Sequence, residues 1–180
     1  MRVNYLGIAA SAVAIISLFI PWFSIELWTE NLSSTMNFSA NLYQLTGTVE
    51  GVTKSMFLFV WFTVSAFVLM AATAAGCFVA SLVNAKKRTL LLVLCGCFAL
   101  IAMVVFAGGL ASSNFAVERL NPGYTISQFP EGTFRLSAEQ SMQNSYDYSW
   151  DIGIGFWLAL IAALLAIVSA AVSRKGSKLN

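Results

Sequence analysis

The sequence predicts an all-α integral membrane protein, a four-transmembrane-helix bundle with a small extracellular β-sheet built from two outer loops. Three observations lead there. Of 180 residues, 58% are hydrophobic and only 10% charged, whereas an ordinary soluble domain carries about 25% charged residues. Four apolar stretches, at about 4–24, 55–84, 89–113 and 150–173, contain no lysine or arginine. Each reaches the roughly 20 residues that cross a hydrocarbon layer. Between them lie two long segments, 25–54 and 114–149, the first with stretches rich in threonine, aromatic and β-branched residues at 34–39 and 42–49. The whole chain, 1–180, then reads as one membrane domain with an inner turn at 85–88 and a tail at 174–180.

The first stretch follows Met1-Arg2 and has a signal-like apolar run. It ends in bulky Pro21-Trp22-Phe23 rather than a small-x-small cleavage site, so it is expected to be a retained helix. The second is long enough to tilt or to project from the bilayer. The third carries Gly108-Gly109 near its outer end, a place for a kink or a close neighbour. The fourth opens beside Asp151, the only acidic residue near an apolar core.

Charge gives the orientation. Arg2, Lys86, Lys87, Arg88, Arg174, Lys175 and Lys178 fall on one side, with no acidic residue among them. The other side holds Lys54, Arg119 and Arg135 against Glu26, Glu30, Glu50, Glu118, Glu131, Glu139, Asp147 and Asp151. Cytoplasmic loops carry the excess of basic residues, so both termini are expected in the cytoplasm and the two long loops outside. Trp22, Trp28, Trp61, Trp150 and Trp157 all fall near the outer interface. Amphipathic rings prefer that depth, and the five are expected to be interface anchors.

Composition also excludes chemistry. There is no histidine, which removes histidine-ligated metals and histidine-based catalytic units. No ionised residue lies deep in a span, as proton relays and charged ion paths require. A polar path would have to be lined by Ser11, Ser17, Thr63, Ser65, Thr73 and Ser81. No nucleophile–base constellation or phosphate-binding loop is present, and the reading is of a protein that is not an enzyme and holds no cofactor or metal. Cys77, Cys95 and Cys97 lie in the inner halves of two spans and read as core-filling thiols. What the spans do carry is small residues at helix-packing spacing: Gly7 with Ser11, Ala72 with Gly76 and Ala80, and Gly155 with Ala159 and Ala163. Small side chains let helix backbones approach closely in lipid.

In the first outer loop, 34–39 and 42–49 read as short strands. In the second, 124–129 and 133–137 flank Pro130-Glu131-Gly132, a hairpin signal, and Ser137 is placed to cap a short helix through about Tyr146. Three or four strands are expected in all. Asn31 and Asn37 each begin a glycosylation sequon. Glu26 with Glu30, and Asp147 with Asp151, would share a face if helical. They lack the oxygen density of a calcium loop and read as solvated acidic surface.

The layout resembles the claudin-like tetraspan superfamily. Locally, Pro21-Trp22 looks like the exit of the first claudin span, and Leu27-Trp28 like the end of the claudin Gly-Leu-Trp signature. Glu26 stands in place of that glycine, the paired loop cysteines are missing, and the second loop is the longer. The resemblance implies a sheet made by both loops and a scaffold or adhesion role at the plasma membrane. The partners expected are the lipid bilayer and other membrane protein subunits or copies of itself, with no nucleic acid. An accessory subunit of a larger membrane complex, or a small transporter or channel component, are the alternative readings.

Overall fold

A computed structural model describes residues 3–29, 32–49, 52–57, 60–83, 85–112, 124–126, 133–138 and 146–176. The described elements run α1 (Tyr5–Phe19), β1 (Phe23–Thr29), β2 (Leu32–Ala40), β3 (Gln44–Val49), β4 (Val52–Phe57), α2 (Trp61–Leu82), α3 (Ala85–Ser112), β5 (Tyr124–Ile126), β6 (Thr133–Ala138), β7 (Tyr146–Ile152) and α4 (Ile154–Gly176). The helices form a ring in which α1 packs on α2, α2 on α3, α3 on α4 and α4 back on α1. α2, α3 and α4 are long and apolar enough to cross a membrane, whereas α1 has only 15 residues.

Each apolar stretch is therefore trimmed or shifted relative to expectation. The first is helical only to Phe19, because Pro21 cannot continue a helix and forces extended backbone on Ile20, found at φ −87°, ψ 146°. The second is not one long span; its first residues, 55–57, belong to β4, and the helix starts at Trp61. The fourth likewise starts as strand, since 150–152 end β7. The inner turn 85–88 is not a loop, because α3 begins at Ala85 and absorbs Lys86, Lys87 and Arg88 into its first turn. Apolar periodicity alone cannot tell a buried strand end from a helix end.

The bundle interior is built on alanine. Ala10, Ala14, Ala66, Ala80, Ala99, Ala102, Ala159, Ala162, Ala163 and Ala166 are fully buried. Near the sheet the core adds Trp22, Phe62, Met70 and Phe106; at the far end it narrows to Ala10, Cys77, Ala80, Leu92 and Ala166. Larger apolar residues, among them Ile15, Val68, Val104, Leu164 and Val168, point outward. A bundle with small residues inside and large apolar residues outside is inverted relative to a water-soluble one and suits a lipid solvent.

The sheet has seven strands rather than three or four, all antiparallel, in the order β4-β3-β2-β1-β7-β6-β5. β1 and β7 join the halves, with Phe23 opposite Ile152 and Thr29 opposite Tyr146. The expected strand at 34–39 lies within β2, that at 42–49 is a strand only from Gln44, as β3, and the hairpin pairs Ile126 with Leu136. Ser137 is a strand residue in β6, not a helix cap; the rest of the expected helix, 139–145, and the turn at 130–132 lie outside the described residues.

Candidate interaction surface and the bundle that carries it

At the end away from the sheet, Asn4 ties three helices. Its Oδ1 accepts from the Gly7 N–H (3.3 Å) and caps α1. Its Nδ2 donates to Ser169 Oγ (2.7 Å) and Ser173 Oγ (3.1 Å) on α4. Its backbone N–H donates to the Ser81 carbonyl at the end of α2. Arg88 completes this end. Its guanidinium donates to the carbonyls of Ala80 (3.2 Å) and Val83 (2.8 Å), where α2 leaves acceptors without helical partners.

The small residues serve close helix approach, with one exception. Gly7 is buried, and a Cβ there would strike the Ser81 hydroxyl. Ser11 is buried with its Oγ donating to the Ala74 carbonyl across the α1–α2 contact (2.8 Å). Gly76 faces the Cys95 sulfur, Gly155 abuts the backbone of Ile20 and Pro21, and Ala80, Ala159 and Ala163 are fully buried. Ala72 instead faces outward. Steps of four residues drift about 40° per step on a helix of 3.6 residues per turn. The buried face of α2 mixes threes and fours, through Phe62, Ala66, Met70, Thr73, Cys77 and Ala80. Two contacts not anticipated from spacing are Gly96 against Ile167 and the Ala163 carbonyl, and Gly109 against the Phe62 ring. Gly108 meets nothing within 4 Å.

Hydroxyls of the expected polar path are engaged by backbone carbonyls. Ser17 donates to the Ala14 carbonyl, Thr63 to Val60, Ser81 to Cys77, and Thr73 to both Leu69 and Cys95. Ser65 is half-buried. Cys77 and Cys95 are buried together in the core at the end away from the sheet, while Cys97 is exposed. Among the described residues, no group of three or more histidine, cysteine, aspartate or glutamate side chains is placed to hold a metal ion.

Where the sheet meets the bundle, Trp22 is the hub. It is fully enclosed, not an exposed anchor. Its ring packs edge-on against Phe106 (5.1 Å between centroids) and Phe156 (5.6 Å), and its Nε1–H donates to the Ser17 carbonyl (2.7 Å). Pro21 ends α1 early and so leaves that carbonyl free to accept, while turning the indole inward. The backbone is equally committed: Trp22 N–H to Ala40 O, Gly153 N–H to Trp22 O, and Gly155 N–H to Pro21 O. Asn41 folds the β2–β3 connection by accepting from the N–H groups of Tyr43 and Gln44. Trp61 and Trp157 are exposed, at 63% and 52%. Trp28 and Trp150 occupy register positions in β1 and β7.

The strand register sorts the sheet into two unlike faces, because successive residues alternate sides and cross-strand partners share one. One face takes Phe23, Ile25 and Leu27 of β1, Met36, Phe38 and Ala40 of β2, and Leu45 of β3. It continues through Tyr146, Tyr148, Trp150 and Ile152 of β7 and Phe134 and Leu136 of β6. At its foot Phe23, Ala40 and Leu45 are buried in the bundle core. The other face takes Ser24, Glu26, Asn37, Ser39, Thr46, Thr48, Thr53, Ser55, Asp147, Ser149 and Asp151, together with Trp28 and Phe57, while Lys54, opposite Gly47, falls on the first face. Asn37, Thr53, Ser55 and Asp151 on that face are exposed. Glu26 and the pair Asp147 and Asp151 thus sit in strands, not helices; four strand residues span about 13 Å, too far for two carboxylates to share one ion. Asn37 is exposed in β2, while Asn31 and Glu30 lie outside the described residues.

The chain matches no protein-family model and no curated protein.

Proposed function

We propose that this is a non-catalytic tetraspan membrane protein whose outer sheet makes protein contacts, laterally or across to a neighbouring surface. In this reading the basic end of the bundle is cytoplasmic, both termini lie there, and the sheet stands outside the plasma membrane. The observation that carries it is the two-faced sheet, built from both long segments and rooted in the bundle core through Phe23 of β1, Ala40 of β2 and Leu45 of β3. A polar outer face and an apolar register face suit recognition rather than catalysis. The lipid-like exterior of the helices supports membrane placement, and the engagement of the buried hydroxyls by backbone carbonyls speaks against a transport path. A sheet joined from both loops is also what the claudin-like resemblance implies, and a scaffold or adhesion role follows from it.

The test is gentle detergent extraction of the native protein followed by native mass spectrometry. Emergence as copies of itself, or with a contacting membrane protein, supports the proposal. Co-purification at fixed ratio with cofactor-bearing chains would turn the reading to an accessory subunit. A chain that never associates with another protein would overturn it.

A further inference from the structure

The helix lengths and the foot of the sheet fix a depth, given the membrane reading above, on which this inference rests. Asn4, Ser81, Arg88 and Ser173 are joined at one level by hydrogen bonds, directly or through α2. From that level α2 rises from Ser81 to Trp61 and α4 from Ser173 to Ile154, each about 30 Å at 1.5 Å per residue, which equals a hydrocarbon thickness. α1, with 15 residues, rises only about 22 Å. The missing height is covered by the extended segment 20–22, which lies beside Gly153 and Gly155 at the start of α4.

Extended backbone at membrane depth is tolerated only where protein satisfies it. Pro21 and Trp22 meet that condition. Pro21 brings no N–H, its carbonyl accepts from Gly155, and Trp22 has both backbone groups bonded to Ala40 and Gly153. At the same level four large apolar side chains are exposed, with Asp151 beside them on the other face of the sheet. Trp61 is 63% exposed, Ile152 40%, Ile154 68% and Trp157 52%, on α2, β7 and α4. Lower on the same two helices Val64 and Leu164 are likewise exposed.

We propose that the outer hydrocarbon boundary crosses the foot of the sheet rather than a loop beyond the helices. The partner of the Trp61, Ile152, Ile154 and Trp157 ring is outer-leaflet lipid. The first crossing is thus part helix and part extended chain, and the sheet rests directly in the headgroup layer.

The test uses the full chain with Cys97→Ser, in which Cys77 and Cys95 stay enclosed. Single cysteines at Asn37, Ile152, Ile154 and Leu164 are labelled with an environment-sensitive fluorophore in phosphatidylcholine vesicles. Lipid brominated near the headgroup is expected to remove about half the emission at Ile152 and Ile154, as deeper bromination does at Leu164, while Asn37 responds to aqueous iodide alone. Iodide quenching alone at Ile152 and Ile154, with Leu164 still quenched by lipid, overturns the boundary and leaves the membrane reading standing. Loss of lipid quenching at Leu164 overturns both.

Discussion

At the scale of single residues, two adjacent glycines make a controlled comparison. A methyl group at Gly109 meets the Phe62 ring, whereas one at Gly108 meets nothing. Gly109→Ala is expected to destabilise by about 1–3 kcal/mol through overpacking. Gly108→Ala is expected to be neutral or to stabilise by up to about 1 kcal/mol through helix propensity. Thermal unfolding in detergent micelles reads both; equal effects would sink the packing account. Asn4→Ala removes a helix cap and two side-chain bonds to α4 at once. The expected loss is about 1–2 kcal/mol in the same measurement, with Asn4→Asp retaining the cap. Asn4 was legible in principle, since it directly precedes an apolar run where a cap belongs. The enclosure of Trp22 was not, because a tryptophan at the end of a span fits an interface anchor and a core residue equally well. Only the inward turn imposed by Pro21, and the pocket made by the distant Phe106 and Phe156, decide between them.

At the scale of elements, the alternation of β2 makes a sharper statement than its composition. Phe38 and Asn37 are neighbours in sequence but on opposite register faces. Phe38→Asp is expected to cut folded yield severalfold, since it sets a charge at the register position opposite Ile25 on the more apolar face. Asn37→Asp is expected to leave yield unchanged. Size-exclusion profiles of the extracted variants check this, and an indifferent Phe38→Asp would mean the apolar face carries no structural weight. The hairpin between β5 and β6 was readable from its turn residues, as were the cores of β2 and β3. The strands at the ends of spans, 23–24, 55–57 and 150–152, were hidden because they continue an apolar run without a break in pattern. β1 and β7 pair across more than a hundred residues, a relation no local signal carries.

At the scale of the whole molecule, the charge split between the two ends is the orientation argument. In the sequence, seven basic residues flank the apolar stretches on the side read as inner, and all eight acidic residues fall in the segments read as outer or at their edges. Protease-sensitive tags at either terminus are expected to resist digestion in intact cells and to be cleaved once the membrane is opened. Replacing Lys86, Lys87 and Arg88 with glutamine is expected to produce a mixed population, in which a fraction of the tags becomes accessible from outside. Full accessibility of the unmodified chain would reverse the assignment. The four apolar segments and this asymmetry were plain from the sequence. The ring order of the helices and the rooting of the sheet in the core were not, because they depend on which small residues meet.

The strand order also sets a schedule for synthesis. β1 to β4 come from consecutive residues, so a ribosome that has made the first 57 can already close a four-stranded meander. Yet β1 ends that meander with an open hydrogen-bonding edge, and its partner β7 is made only after α3 has been threaded. Until then the nascent chain displays an unsatisfied strand, the feature that invites pairing with foreign chains. Chains halted between residues 112 and 146 are therefore expected to aggregate through that edge, whatever the state of their helices.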